Sequence, residues 1–179
     1  EIEKYSRVVN SNLEFVSGNE SISESGIYAE PDFLEIFTFP LLSGSASGVL
    51  SDNNSIVISE KMAMKFFKTT DCLGKSLIVK QDSASTAYTI TGIMKDIPAQ
   101  SYFQFSFIIP FSRFLSMNSQ ALEPGATACQ TWVLLNNNAR MKAVNARIKD
   151  LISKQETTLN QELFLFPLKE KMLYYYIGG

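Results

Sequence analysis

Phe103, Phe105, Phe107 and Ile109 alternate with Gln104, Ser106 and Ile108. Successive side chains of a strand point to opposite faces, so this spacing gathers three rings and an isoleucine on one side of a sheet. A helix would scatter the same residues around its axis. The spacing predicts a strand over 103–109 that stops at Pro110, where a short helical turn over 111–115 begins.

Similar patterning gives strands over 26–29, 55–58, 76–80, 88–94, 131–135 and 163–168. Gly92 interrupts one of them, which predicts a bulge or a close backbone approach. Pro31-Asp32 opens a short helix with Phe33, Leu34, Ile36 and Phe37 on its buried side. Ser59 is placed to cap a helix over 60–67, in which Met62, Ala63, Phe66 and Phe67 share a face. Asn138 is placed to cap the longest helix, over 139–155. Near the start, Ile2, Tyr5, Val8 and Val9 have near-helical spacing, followed by turn formers at Asn10, Ser11 and Asn12. The stretch 131–168 has the strand–helix–strand length of a βαβ unit. The mixture predicts an α+β fold.

With 179 residues, 45% hydrophobic and 19% charged, the chain is long and apolar enough for one domain with a real core. A net charge of −2 supplies no basic surface, so neither nucleic acid nor an anionic lipid surface is an expected partner. Histidine is absent, which removes the commonest general base and metal ligand. The two cysteines, Cys72 and Cys129, form no CxxC. They are a candidate disulfide in an oxidising compartment, and a buried unpaired thiol is the competing reading. No apolar run reaches the ~18 residues of a membrane span. The chain opens on Glu1 rather than Met and closes on Tyr174-Tyr175-Tyr176-Ile177-Gly178-Gly179, so a piece of a longer protein is expected. The tyrosine run is read as a linker or a contact surface.

Reactive motifs fail on inspection. Leu73-Gly74-Lys75-Ser76 looks like the end of a phosphate loop, but Thr69 holds the position where that loop needs glycine, and a helix precedes it. Ser43, Ser45 and Ser47 have no activating base. Asp52-Asn53-Asn54 starts like a calcium loop, yet its twelfth position is Ala63. Glu30, Asp32, Glu35 and Asp96 are the carboxylates to watch, with capping and turn roles expected of them. No cofactor, metal or catalytic residue is expected.

Four blocks taken together carry a resemblance. They are 28–44, with Pro31-Asp32-Phe33-Leu34-Glu35-Ile36-Phe37; 54–63 with Lys65-Phe66-Phe67 and Leu73-Gly74-Lys75-Ser76-Leu77; 88–98 with Ser101-Tyr102-Phe103-Gln104-Phe105; and Pro167-Leu168-Lys169-Glu170-Lys171-Met172-Leu173-Tyr174. In order and spacing they resemble the MacB-like periplasmic domain of FtsX/MacB-type ABC transporter permeases, in the form common in Bacteroidetes. The chain departs from that pattern at Cys72, where proline is usual, and over 126–130.

The resemblance implies a single domain over 1–179 with two lobes. A small strand-rich lobe, about 24–98, is inserted in a porter-like lobe made of 1–23 plus 99–179. It implies a periplasmic domain of an inner-membrane protein, between the first two of four membrane helices, without catalysis. The implied partners are a cytoplasmic ATPase, a second permease copy or homologue, and a periplasmic substrate or protein. ATP-driven motion entering through the membrane helices at Glu1 and Gly179 would be passed to that partner. A periplasmic ligand-binding or sensor module is the alternative, and an enzyme built on an unfamiliar carboxylate site is a third reading.

Overall fold

The computed structural model describes residues 1–81, 84–122, 129–155 and 161–171. Its elements in chain order are β1 (Ile2–Ser17), β2 (Glu20–Ala29), α1 (Phe33–Ile36), β3 (Leu41–Ser43), β4 (Ser55–Ser59), α2 (Glu60–Phe67), β5 (Ser76–Gln81), β6 (Ala84–Met94), β7 (Phe107–Pro110), α3 (Phe111–Met117), β8 (Gln130–Leu135), α4 (Met141–Ile148), α5 (Leu151–Gln155) and α6 (Leu168–Lys171). A 3-10 turn covers Ser119–Leu122. Strands and helices of both kinds are present and most strand pairs are antiparallel, so the α+β expectation holds.

Ile2–Ser17 form a strand, not a helix. The turn at Gly18, whose φ is +62°, folds β1 back onto β2 in a hairpin that runs from Val8↔Ala29 to Ser17↔Glu20. This pairing, distant in sequence from the residues it orders, overrides the local helical spacing.

All eight strands join one sheet. From β1 the pairing runs through β2, β7, β4, β6 and β5 and returns to β1 at Glu14↔Lys80 and Phe15↔Val79. The path closes on itself, which hides most strand edges. β8 extends the sheet along the other end of β1, from Ile2↔Leu135 to Val8↔Gln130.

Both faces of this ring are buried along β4 and β7, whereas Ser76, Ile78 and Lys80 of β5 are exposed. One core holds Phe15, Tyr28, Ile56, Ile58, Leu77, Val79, Tyr88, Phe107 and Ile109, with Met62 of α2 and Phe111 of α3. The other holds Ile27, Ala29, Val57, Ile108 and Met94, with Phe33 and Leu34 of α1 and Val49 and Leu50 from the preceding turn. Ile56, Val57 and Ile58 show why: alternate side chains enter alternate cores.

That division corrects the strand expected over 103–109. Only Phe107–Pro110 is strand. Phe103 and Phe105 belong with the second core, whereas Phe107 and Ile109 belong to the first. Sheet bonding begins only at Ser106, whose N–H donates to Ser25 O at 2.7 Å and whose carbonyl accepts from Ser59 N–H at 2.8 Å.

Gly92 meets both expectations. Its neighbour Thr91 is skipped in the β4–β6 register, and a Cβ on Gly92 would lie 2.9 Å from Val49 Cγ1. The βαβ expectation holds only for its first half. Residues 161–167 are not strand, because their amides bond helices instead: Leu163 N–H donates to Lys149 O and Leu165 N–H to Asn145 Oδ1. Asn138 does not cap a helix. Arg140 holds the N-cap position of α4, and Asn138 N–H donates to Asn136 Oδ1.

α2 forms as its sequence demands. Ser59 Oγ accepts from Met62 N–H at 3.1 Å, and Asp96 Oδ1 accepts from Lys61 N–H at 2.8 Å. Two free donors of the first turn are thereby satisfied, one of them by a carboxylate that the helix dipole favours. Ser59→Ala is expected to lower stability by about 1 kcal/mol, read as a lower midpoint with unchanged slope in urea unfolding.

Candidate functional site

An open groove of about 650 Å³ lies against β1 and β2. Residues 8–12 of β1 and 25–27 of β2 line it beside 102–105, 129 and 130. β1 parts from β8 at Val8 and meets β5 only at Glu14, so among the described residues the edge of Val9–Leu13 facing them is unpaired. Asn10, Asn12 and Ser25 line one side, and Tyr102, Phe103 and Gln104 the other. Among the described residues no charged side chain lines it. The volume falls in the range of small-ligand sites, but the lining offers hydrogen bonds and ring surfaces, with no group to move a proton. A smaller recess shares Ser25, Gln104 and Phe105 with the groove and reaches Lys61 and Asp96.

Three of the four carboxylates make side-chain bonds. Glu30 Oε1 accepts from Arg7 Nε at 2.8 Å, and Arg7 also lies 4.3 Å from the centre of the Phe111 ring. Glu35 pairs with Lys4, whose pKa is raised chiefly by that hydrogen bond. Asp96 caps α2, and Asp32 stands at the N-terminus of α1 without a side-chain capping bond. Among the described residues no cluster of histidine, cysteine and carboxylate side chains could hold a metal.

The phosphate-loop look-alike is a turn: Gly74, at φ +76°, donates its N–H to Ile90 O, and the Lys75 ammonium lies 5.4 Å over the Phe67 ring. Asp52 Oδ1 accepts from Asn54 N–H within its own turn. Cys72 and Cys129 are free thiols on the first core. Cys72 is buried, and that burial pushes its pKa up.

Among the described residues Tyr28 is the acid whose pKa is clearly displaced furthest. Burial pushes its pKa up to about 12, helped by Tyr88 and opposed by Ser11 and Arg113. In the native state the hydroxyl therefore holds its proton more tightly than in the unfolded chain. This contribution is complete below pH ~10 and disappears as pH rises toward about 12, and it amounts to about 3 kcal/mol at ~1.4 kcal/mol per unit. Between those limits Tyr28→Phe is expected to lose stability less steeply than the parent, measured by denaturant unfolding at stepped alkaline pH.

Beside the groove lies a cluster of rings. Trp132 of β8 sits 5.4 Å from Phe37, 5.4 Å from Phe103 and 5.8 Å from Tyr102. The Lys171 ammonium at the end of α6 lies 4.7 Å over Trp132 and 5.3 Å over Tyr102. Sequence reasoning missed this meeting, because no local pattern links positions 102, 132 and 171. The tyrosine run at 174–176 lies outside the described residues.

No helix among the described residues is long and apolar enough to cross a membrane. Comparison with solved structures places the fold. A domain of a putative permease from Porphyromonas gingivalis superposes with a TM-score of 0.75 at 23% identity, covering 96% of this chain and 82% of that one. The periplasmic region of MacB from Actinobacillus actinomycetemcomitans gives 0.70 at 16% identity, over 98% and 78%. The extracellular domain of the ABC-type transporter YknZ from Gram-positive bacteria gives 0.65 at 15%, over 92% and 82%. No curated protein matches the chain. The family model for the MacB-like periplasmic core domain matches residues 1–151. With most of its length matched in this way, the chain belongs to the family of MacB-like periplasmic core domains, the extracytoplasmic parts of ABC transporter permeases.

Proposed function

We propose that this domain passes ATP-driven conformational change from the membrane part of a permease to a periplasmic substrate or partner protein. The family match over residues 1–151 carries the reading. Two contacts at β8 support it. Glu1 O accepts from Asn136 N–H at 2.9 Å just beyond β8, and Lys171 lies over Trp132 within β8. Flanking membrane helices would thus pull on one strand, and that strand pairs along half of β1.

In this reading a cytoplasmic ATPase supplies the work and a second permease copy or homologue completes the assembly. The moving bodies are a lobe over about 24–98 and one made of 1–23 plus 99–179. Driving such a pair from 1:99 to 99:1 takes about 5.5 kcal/mol of differential free energy.

Spin labels test this. Met64 on α2 and Leu134 on β8 are both exposed and sit on opposite bodies. In the full-length permease with its ATPase, the distance distribution between labels at these two positions should shift between the nucleotide-free and ATP-trapped states. A distribution unchanged through the ATPase cycle would overturn the proposal. A shift that follows an added periplasmic solute, and not nucleotide, would favour a sensor instead.

A further inference from the structure

Lys171 is an unusual lysine. It is half-buried, and among the described residues no carboxylate pairs with it. Its ammonium rests instead between two aromatic rings, 4.7 Å from the centre of Trp132 and 5.3 Å from that of Tyr102. The rings meet edge to face at 5.8 Å, and Phe103 packs on both, at 5.1 Å from Tyr102 and 5.4 Å from Trp132. A cation attracted to ring faces is favoured most where water is partly excluded. The indole N–H of Trp132 is buried with no acceptor among the described residues, and ring contacts surround this side chain.

The tether is short. α6 is one turn, closed by Glu170 and Lys171 N–H groups donating to Pro167 O at 3.0 and 3.1 Å. A helix of this length has little stability of its own. Lys171 therefore behaves as a tethered ligand, occupying the rings through high local concentration rather than a rigid fit.

We infer that Trp132 and Tyr102 form a binding site for an alkylammonium group, which Lys171 fills in the unliganded domain. The ligand class is an organic cation, either a free amine or quaternary ammonium compound or a lysine side chain presented by a peptide. Tyr102 and Phe103 also line the uncharged groove, so the body of such a ligand would lie there. This site stands independently of the transmission reading.

The chain contains a single tryptophan, so its fluorescence reports on this site alone. Lys171→Met removes the tethered charge and keeps an apolar stem. Tetramethylammonium chloride titrated into that variant should give a saturable change in Trp132 emission, with an apparent Kd about tenfold below that of the parent domain. Adding Tyr102→Ala to Lys171→Met should weaken binding about tenfold, equivalent to about 1.4 kcal/mol. In the parent domain the ligand must expel Lys171, so tryptic cleavage after Lys171 should accelerate with tetramethylammonium and not with equal sodium chloride. No saturable change in Lys171→Met, an equal change with sodium chloride, or full retention after Tyr102→Ala would each overturn the site. Should Lys171→Met lose its native circular dichroism, the cleavage assay on the parent domain decides alone. Lysyl and acetyl-lysyl peptides of one sequence then separate a peptide source from a free amine: binding of the first only assigns the peptide, and binding of neither leaves the free cation as the ligand.

Discussion

Gly26→Ala is expected to lower the melting temperature of the domain by about 6–12 °C. Gly26 stands opposite Phe107 in the parallel pairing of β2 with β7. A Cβ at position 26 would fall 2.3 Å from two carbons of the Phe107 ring. The ring cannot easily retreat: it is fully buried and packs edge-on against Phe15 at 5.1 Å. Backbone strain plays no part, because Gly26 is not among the residues with positive φ. The effect is therefore one of space. Overpacking a close-packed core costs typically about 1–3 kcal/mol, and an overlap of this depth belongs at the upper end. For a chain of this length each kcal/mol moves the midpoint about 2–4 °C. Phe107→Leu should recover much of the loss in the Gly26→Ala background while destabilising the parent, so the two changes are strongly non-additive. A Gly26→Ala domain that melts within ~1 °C of the parent would show that the ring has somewhere to go.

The parts of this fold that could be read in the sequence are those whose causes are local. α2 needed only Ser59 and the spacing of Met62 and Ala63, and it runs over the expected residues. Gly92 announced both a bulge and a close approach, because a glycine inside a strand pattern has few other reasons to be there. The capping role expected of the carboxylates is realised by Asp96, although its helix lies 35 positions away in sequence.

What was not legible depends on remote partners. β1 reads as a helix until β2 is laid beside it. The alternation at 103–109 is genuine, yet the chain passes from one core to the other between Phe105 and Phe107, and a period alone does not say which core a side chain enters. Leu163 and Leu165 have strand-like neighbours, but their amides are taken by α4 and the residue that follows it. The groove brings together 8–12, 25–27, 102–105 and 129–130, four stretches far apart in sequence that no local pattern links.

Phe33→Ala is expected to remove about 3–5 kcal/mol of stability, the range for truncating a fully buried phenylalanine. Phe33 is completely buried, with ring centres at 4.9 Å to Phe37, 5.2 Å to Phe103, 5.6 Å to Phe39 and 5.8 Å to Phe105. It is the one ring that ties α1 to both phenylalanines of the segment flanking the groove. Since 103–105 has no strand ladder of its own, ring packing is a main restraint on that wall. The loss should therefore be uneven. Amide hydrogen exchange at Phe103 and Phe105 is expected to quicken more than at Val57 and Ile58, which keep their ladder on both sides. Phe37→Ala, at a half-buried neighbour, should cost distinctly less. If exchange instead quickened equally throughout, Phe33 would be an ordinary core residue, and the groove wall would be held by something other than these rings.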